Sequence, residues 1–163
     1  MYIVWHRIGA YMKTIVIGCD NAAVNLKNEI IKYIESLGVV VENVGCDSSD
    51  DPTMYPYIAE RVCSKIIESN YEKEGILVCG TGIGMAITAN KFKGIRAAVC
   101  HDSYSAERSK LSNNCNVLCM GERVIGVELA KKIIKEWNCL EFVDGSSTKK
   151  INAITGIESN NMK

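Results

Sequence analysis

At 163 residues, 47% hydrophobic and 23% charged, the chain has the size and make-up of one globular domain able to bury a core. Nineteen Lys and Arg balance nineteen Asp and Glu, so no net field favours nucleic acid or a membrane surface. No apolar run reaches the roughly 20 residues of a membrane span. Eight cysteines, spaced neither as a disulfide ladder nor as CxxC pairs, point to reduced thiols in the cytoplasm.

Residues 1–11 do not fit the pattern that follows and read as an extension outside the fold, with His6 inert. A single domain is expected over 12–163. Thr14–Gly18 is an apolar run predicting a first strand, and Asp20 or Asn21 is placed to cap the helix after it. Leu26, Ile30, Ile34 and Leu37 share one face of that helix, and Gly38 stops it. Val39–Asn43 is the second strand, and the Ser- and Asp-rich residues 45–53 form a loop. Tyr55 and Pro56 open a helix with Ile58, Val62 and Ile66 at helical spacing. Gly75–Cys79 is the third strand, and after the glycines a helix runs to about Lys91. Ile95–Val99 is the fourth strand, Asp102 caps a helix through Lys110, and Asn116–Met120 is the fifth strand. Gly126–Trp137 is a helix with Leu129, Ile133 and Trp137 on one face. After a break at Gly145-Ser146-Ser147, a last amphipathic helix over 146–160 carries Ile151, Ile154 and Ile157.

Strands alternating with helices predict an α/β fold, a doubly wound five-stranded parallel sheet with helices on both faces. Ligands in such folds bind beyond the C-terminal ends of the strands. Asp20, Cys79, His101 and Arg123 all follow strand ends and are candidates for one crevice. The extra C-terminal helix has no strand after it and is expected at a subunit interface.

The stretch Gly75-Ile76-Leu77-Val78-Cys79-Gly80-Thr81-Gly82-Ile83-Gly84 organises the chain. It runs from buried strand into alternate glycines, which let bare N–H groups approach a ligand at a helix start. Cys79 stands at the mouth of that loop, where a thiol serves as base or nucleophile. A dinucleotide site would need G-x-G-x-x-G after the first strand, and a P-loop would need G-K-[ST]; neither is present. A plain structural turn with a buried cysteine remains the rival reading. Cys115 and Cys119 have no neighbouring histidine to complete a zinc set, so no metal is expected.

Cys79-Gly80-Thr81-Gly82-Ile83-Gly84, followed by Ala89-Asn90-Lys91 and Gly94-Ile95-Arg96-Ala97, resembles the type B ribose-5-phosphate isomerases and the related galactose-6-phosphate isomerase subunits. Gly18-Cys19-Asp20, Tyr55-Pro56, Tyr104-Ser105-Ala106, Asn116-Val117-Leu118 and Gly121-Glu122-Arg123-Val124-Ile125-Gly126 match in the same order, covering nearly the whole chain from Met12. The resemblance implies a Rossmann-like sandwich, and dimers or dimers of dimers whose active sites are shared between subunits. It implies an aldose–ketose isomerase needing no metal or cofactor, with ribose 5-phosphate and ribulose 5-phosphate as the leading pair. Cys79 matches the family's base, and the N–H groups of Gly80, Gly82, Ile83 and Gly84, with Asn113, match its oxyanion donors. Thr81 is expected to support the cysteine or a substrate hydroxyl. Asp20, Asn21, Tyr55 and Arg123 are expected to bind or shape the sugar.

The chain departs from the family pattern within the site. Asn21 follows Asp20 where the family has His, and Ser112 stands before Asn113 where the family has its ring-opening histidine. Residues 144–150 read Asp-Gly-Ser-Ser-Thr-Lys-Lys, leaving Lys150 alone at a phosphate position that arginines usually fill. His101 is the candidate to replace the lost acid–base group, and Arg108, Lys110 and Lys149 are candidates to restore positive charge. Three readings stand: a ribose 5-phosphate isomerase, an isomerase of another phosphorylated or unphosphorylated sugar, and a non-catalytic subunit of a hetero-oligomer.

Overall fold

A computed structural model describes residues 13–162, and the extension expected over 1–11, with His6, lies outside them. Five strands, β1 (Ile15–Cys19), β2 (Val41–Asn43), β3 (Glu74–Cys79), β4 (Ala97–Val99) and β5 (Val117–Gly121), alternate with five helices. The helices are α1 (Val24–Ser36), α2 (Tyr55–Glu68), α3 (Ile83–Ala89), α4 (Ser103–Leu111) and α5 (Val127–Asn138), and α6 (Thr148–Asn161) closes the series. Every strand pair is parallel, in the order β2-β1-β3-β5-β4. The chain leaves β1 to one side for β2 and returns to its other side for β3. A crevice therefore opens beyond the C-terminal ends of β1 and β3.

All residues of β1, β3 and β5 are buried, which is why these strands read as nearly unbroken apolar runs. Helices α2 and α3 pack together, and α5 packs against both α1 and α4. The core is dense in β-branched and long aliphatic side chains, with Ile15, Ile17, Ile30, Ile58, Ile66, Ile76, Leu77, Leu118 and Trp137 all but inaccessible to solvent. Each such side chain contributes about 1.5–3 kcal/mol by leaving water. At the N-terminal edge of the sheet, buried Lys110 pairs with buried Glu74, and its ammonium lies 3.8 Å from the Trp137 ring centroid. At the β4 edge, Asn90 closes the open backbone: its side chain donates to Ala97 O and accepts from Ala97 N, both at 2.9 Å.

Several expectations need correcting. Neither Asp20 nor Asn21 caps α1: Asp20 Oδ1 accepts from Ala22 N at 3.1 Å in its own turn. Glu122, 96 residues away, instead supplies Oε2 to Leu26 N at 3.0 Å. Asp102 does cap α4, its Oδ1 accepting from Ser105 N at 2.7 Å. The second and fourth strands start later than read, because Val39 N closes on Ile34 O and Ile95 N on Phe92 O before the sheet begins. On α5 the buried face is Ala130, Ile133, Ile134 and Trp137, which rotates Leu129 outward to 38% exposure. On α6 only Ile151 is buried, while Ile154 and Ile157 are exposed.

Candidate active site

Cys19 lies opposite Val78, and Cys79 opposite Gly121, so β1, β3 and β5 end side by side. This register brings Asp20, Cys79 and the Gly121–Arg123 turn to one edge. Cys79 is buried, and Gly82 N donates to its Sγ at 3.0 Å. The turn that allows this contact needs glycine: Gly82 has φ +79°, and a Cβ there would come 3.0 Å from the Met120 backbone. Ile83 N turns to Thr81 Oγ1 at 3.4 Å, so two of the loop's expected ligand donors already have partners within the chain. Gly84 lets the Tyr55 ring lie against the start of α3, since a Cβ there would reach within 2.7 Å of it.

Arg123 folds back over the loop, with its guanidinium 3.6 Å from where a Gly80 Cβ would stand, and its backbone N–H donates to Gly80 O at 3.1 Å. Its charge also acts on Asp20, whose carboxyl is nevertheless pushed above the usual carboxylate range, chiefly by burial. Asn21 lines an adjoining cavity of about 310 Å³ with Asn25, Asp47, Ser48, Ser49 and Glu122. The wall of that cavity is fixed by Lys27, a fully buried ammonium that donates to Cys46 O and Asp47 Oδ1, both at 2.8 Å. Sequence reasoning missed Lys27 and Glu122 because each acts through a partner distant in the chain. A lysine on the apolar face beside Leu26 and Ile30 was the available signal for the first.

His101 is already engaged within the chain through one ring nitrogen. Its Nε2 accepts from Gly121 N at 2.9 Å, and burial holds its pKa below the usual histidine value. The imidazole is thus neutral, and its partner Gly121 is the β5 residue that pairs with Cys79.

Asn113 and Lys150 are not brought to Cys79 within the chain. Asn113 precedes β5, whereas Cys79 ends β3; crossing β5 from Val117 to Gly121 alone covers about 13 Å. Asn113 instead lines a groove of about 470 Å³ with Asn90, Arg96, Ile154, Ile157 and Glu158. Lys150 sits exposed on α6, a helix held at that same N-terminal edge by Gly94 N donating to Glu158 Oε1 at 2.8 Å. The candidate residues therefore fall into two groups on opposite edges of the sheet. Lys110, spent on Glu74, belongs to neither.

The family model described as Ribose/Galactose Isomerase matches residues 15–154. The chain belongs to that family. It is 49% identical to the D-erythrulose-4-phosphate isomerase 2 of Mycolicibacterium smegmatis, over 88% of this chain and 96% of that protein. It is 44% identical to the ribose-5-phosphate isomerase B of Escherichia coli, over 90% of this chain and 97% of that protein. The ribose-5-phosphate isomerase B structure of Clostridium thermocellum superposes with a TM-score of 0.85 at 37% identity, covering 90% of this chain and 98% of that one. The protein is accordingly a sugar-phosphate isomerase with the expected α/β fold.

For a member of this family the thiols sort by position. Burial pushes Cys19, Cys63 and Cys115 up to about 12 and also raises Cys46, Cys100 and Cys119, so all six are neutral packing groups near pH 7. Cys79 alone joins the glycine loop. Among the described residues, no group of three or more His, Cys, Asp or Glu side chains is arranged to hold a metal, and no helix is long and apolar enough to cross a membrane.

Proposed function

We propose that this isomerase interconverts an acyclic tetrose 4-phosphate pair, D-erythrulose 4-phosphate and the corresponding aldose 4-phosphate, with Cys79 as the base. The observation that carries this reading is the serine at the family's ring-opening position. Ser112 stands where the family resemblance puts a histidine, and the one histidine described, His101, spends Nε2 on Gly121 N. A pentose 5-phosphate closes through its free 4-hydroxyl into a furanose that must be opened before isomerisation. In a tetrose 4-phosphate that hydroxyl is esterified, so no such ring forms and no opening group is needed. Similarity to the Mycolicibacterium smegmatis enzyme, named for this substrate, supports the same choice.

The chemistry follows from the loop. Cys79 Sγ, as thiolate, takes the C1 proton of the ketose; the C–H electron pair becomes the C1–C2 double bond and O2 gains a proton or negative charge. The same thiol returns the proton to C2 as the C1 hydroxyl passes its proton to O2 and O1 becomes the aldehyde oxygen. The N–H groups of Gly80 and Gly84 and the Arg123 guanidinium stabilise the developing oxyanion. Gly82 N–H is already aimed at the sulfur, the contact a thiolate requires. Asp20, Asn21 and Tyr55 line the sugar's hydroxyls, and Thr81 holds the loop.

Asn113 and Lys150 enter the site from a second copy of the chain. In this reading two subunits associate so that the N-terminal edge of one faces the C-terminal edge of the other. The exposed Met54, Tyr55, Ile83 and Ile87 beside the glycine loop, and Ile154 and Ile157 on α6, supply apolar surface for that contact.

A ribose 5-phosphate isomerase is the second reading, favoured by the similarity to the Escherichia coli enzyme. Kinetics with both substrates separates them. The tetrose reading predicts a kcat/KM at least about 10-fold higher on D-erythrulose 4-phosphate, with Ser112→His raising turnover of ribose 5-phosphate. Equal or better use of ribose 5-phosphate by the unaltered protein would select the second reading.

A further inference from the structure

The loss of the usual phosphate arginines leaves Lys150 alone at that end of the substrate, and α4 offers a further partner. Arg108 lies one helical turn before Ser112, with Nη1 3.5 Å from Ser112 Oγ and its guanidinium 6.0 Å from the Tyr104 ring centroid. Its Nε is shielded from solvent and has no hydrogen-bond partner. Among the described residues its shortest contact is Nη2 to Glu107 Oε1 at 2.7 Å. Of five N–H donors, then, one is held firmly, one weakly, and a buried one not at all. The Glu107 contact joins adjacent residues whose side chains are 46% and 40% exposed, and such a pair is easily displaced. An acceptor with several oxygens and two negative charges satisfies this guanidinium better than one carboxylate does.

We infer that Arg108 and Ser112 together bind the phosphate of the substrate held at the partner's Cys79. This rests on the reading above of a sugar phosphate bound between two copies. Ser112 adjoins Asn113, so the reacting carbons and the phosphate are served by neighbouring positions of one turn. That turn is rigid: Asn114 has φ +50°, Arg96 Nε donates to Asn114 O at 2.6 Å, and Asn116 Oδ1 accepts from Arg96 N at 2.8 Å. A phosphate bound at the former ring-opening position stands closer to the reacting carbons, as a chain one carbon shorter requires. The serine thus has a use of its own. It frees room for the phosphate and adds a hydroxyl donor to it.

The test is titration of the intact protein with inorganic phosphate, beside steady-state kinetics with D-erythrulose 4-phosphate and ribose 5-phosphate. Arg108→Met is expected to weaken inorganic phosphate binding about 10- to 100-fold and to raise KM by a similar factor, with kcat falling far less. Arg108→Lys restores part of the affinity, and Glu107→Gln, which removes the competing carboxylate, tightens phosphate binding. Unchanged phosphate affinity in a folded Arg108→Met overturns the assignment, as does unchanged affinity in Glu107→Gln should Arg108→Met not fold. Phosphate binding that depends on Arg108, without turnover of either sugar, would sink the proposed reaction and leave the phosphate site standing.

Discussion

Gly82 N stands 3.0 Å from Cys79 Sγ, and this contact joins the end of β3 to the start of α3. It exists only because Gly82 adopts φ +79° with no side chain against the Met120 backbone. Gly82→Ala places a Cβ there and strains a left-handed position. The expected outcome is a loss of about 1–3 kcal/mol in denaturant unfolding, with kcat falling more than KM changes because the sulfur loses its aim. Unaltered kcat in a destabilised variant would separate the turn from the chemistry.

His101 gives the cleanest contrast between structural and chemical roles. Its Nε2 is the acceptor for Gly121 N, so His101→Ala leaves a buried N–H without a partner and costs about 1–3 kcal/mol of stability. Tetrose isomerisation is expected to persist in that variant below its melting temperature. The folded pKa is lowered by burial relative to the unfolded value. His101 therefore contributes stability present above the ordinary histidine range and lost as pH falls through the folded value. The acid limb of a Tm-versus-pH curve measures this, and His101→Gln should flatten that limb near pH 6.

Asp20 carries the opposite sign. Burial raises its carboxyl above the ordinary aspartate value, so the unfolded chain ionises first. Its contribution is present below the unfolded pKa and is lost as pH rises through the folded one. Asp20→Asn removes the cost of the buried charge while Oδ1 can still accept from Ala22 N. A higher Tm at pH 7 together with a raised KM is the expected pair of changes, measured by thermal unfolding and steady-state kinetics. A lower Tm would mean that the attraction to Arg123 outweighs burial.

The separation of Asn113 from Cys79 predicts complementation. Cys79→Ala and Asn113→Ala should each be nearly inactive alone. Mixed by unfolding and refolding, they should recover about a quarter of the unaltered activity, because each heterodimer contains one site with both native residues. No recovery in verified heterodimers would place both residues in one subunit's site and contradict the shared arrangement.

Much of the fold was legible because β1, β3 and β5 are buried on both faces and so announce themselves as apolar runs. The order of strands was not, since nothing local records that β5 inserts between β3 and β4. Cys79, Asp20 and Arg123 were placed correctly at one edge by the rule that ligands meet strand C-termini. Asn113 precedes a strand, and that position already puts it at the other edge; family likeness masked the geometry. His101 also follows a strand end and reaches that edge, but its hydrogen bond to Gly121 was not legible because it depends on a partner 20 residues on. On α5 Ile133 and Trp137 were read on the buried face, but Ala130 and Ile134 complete that face and leave Leu129 at its rim.

The most direct test of the central claim is proton exchange at the substrate's reacting carbons in deuterated water. D-erythrulose 4-phosphate incubated with the intact protein should yield aldose phosphate carrying deuterium at C2, and Cys79→Ala should slow this by about 10²–10⁴-fold. Deuterium entering at the same rate in a folded Cys79→Ala would contradict a thiolate base at the glycine loop.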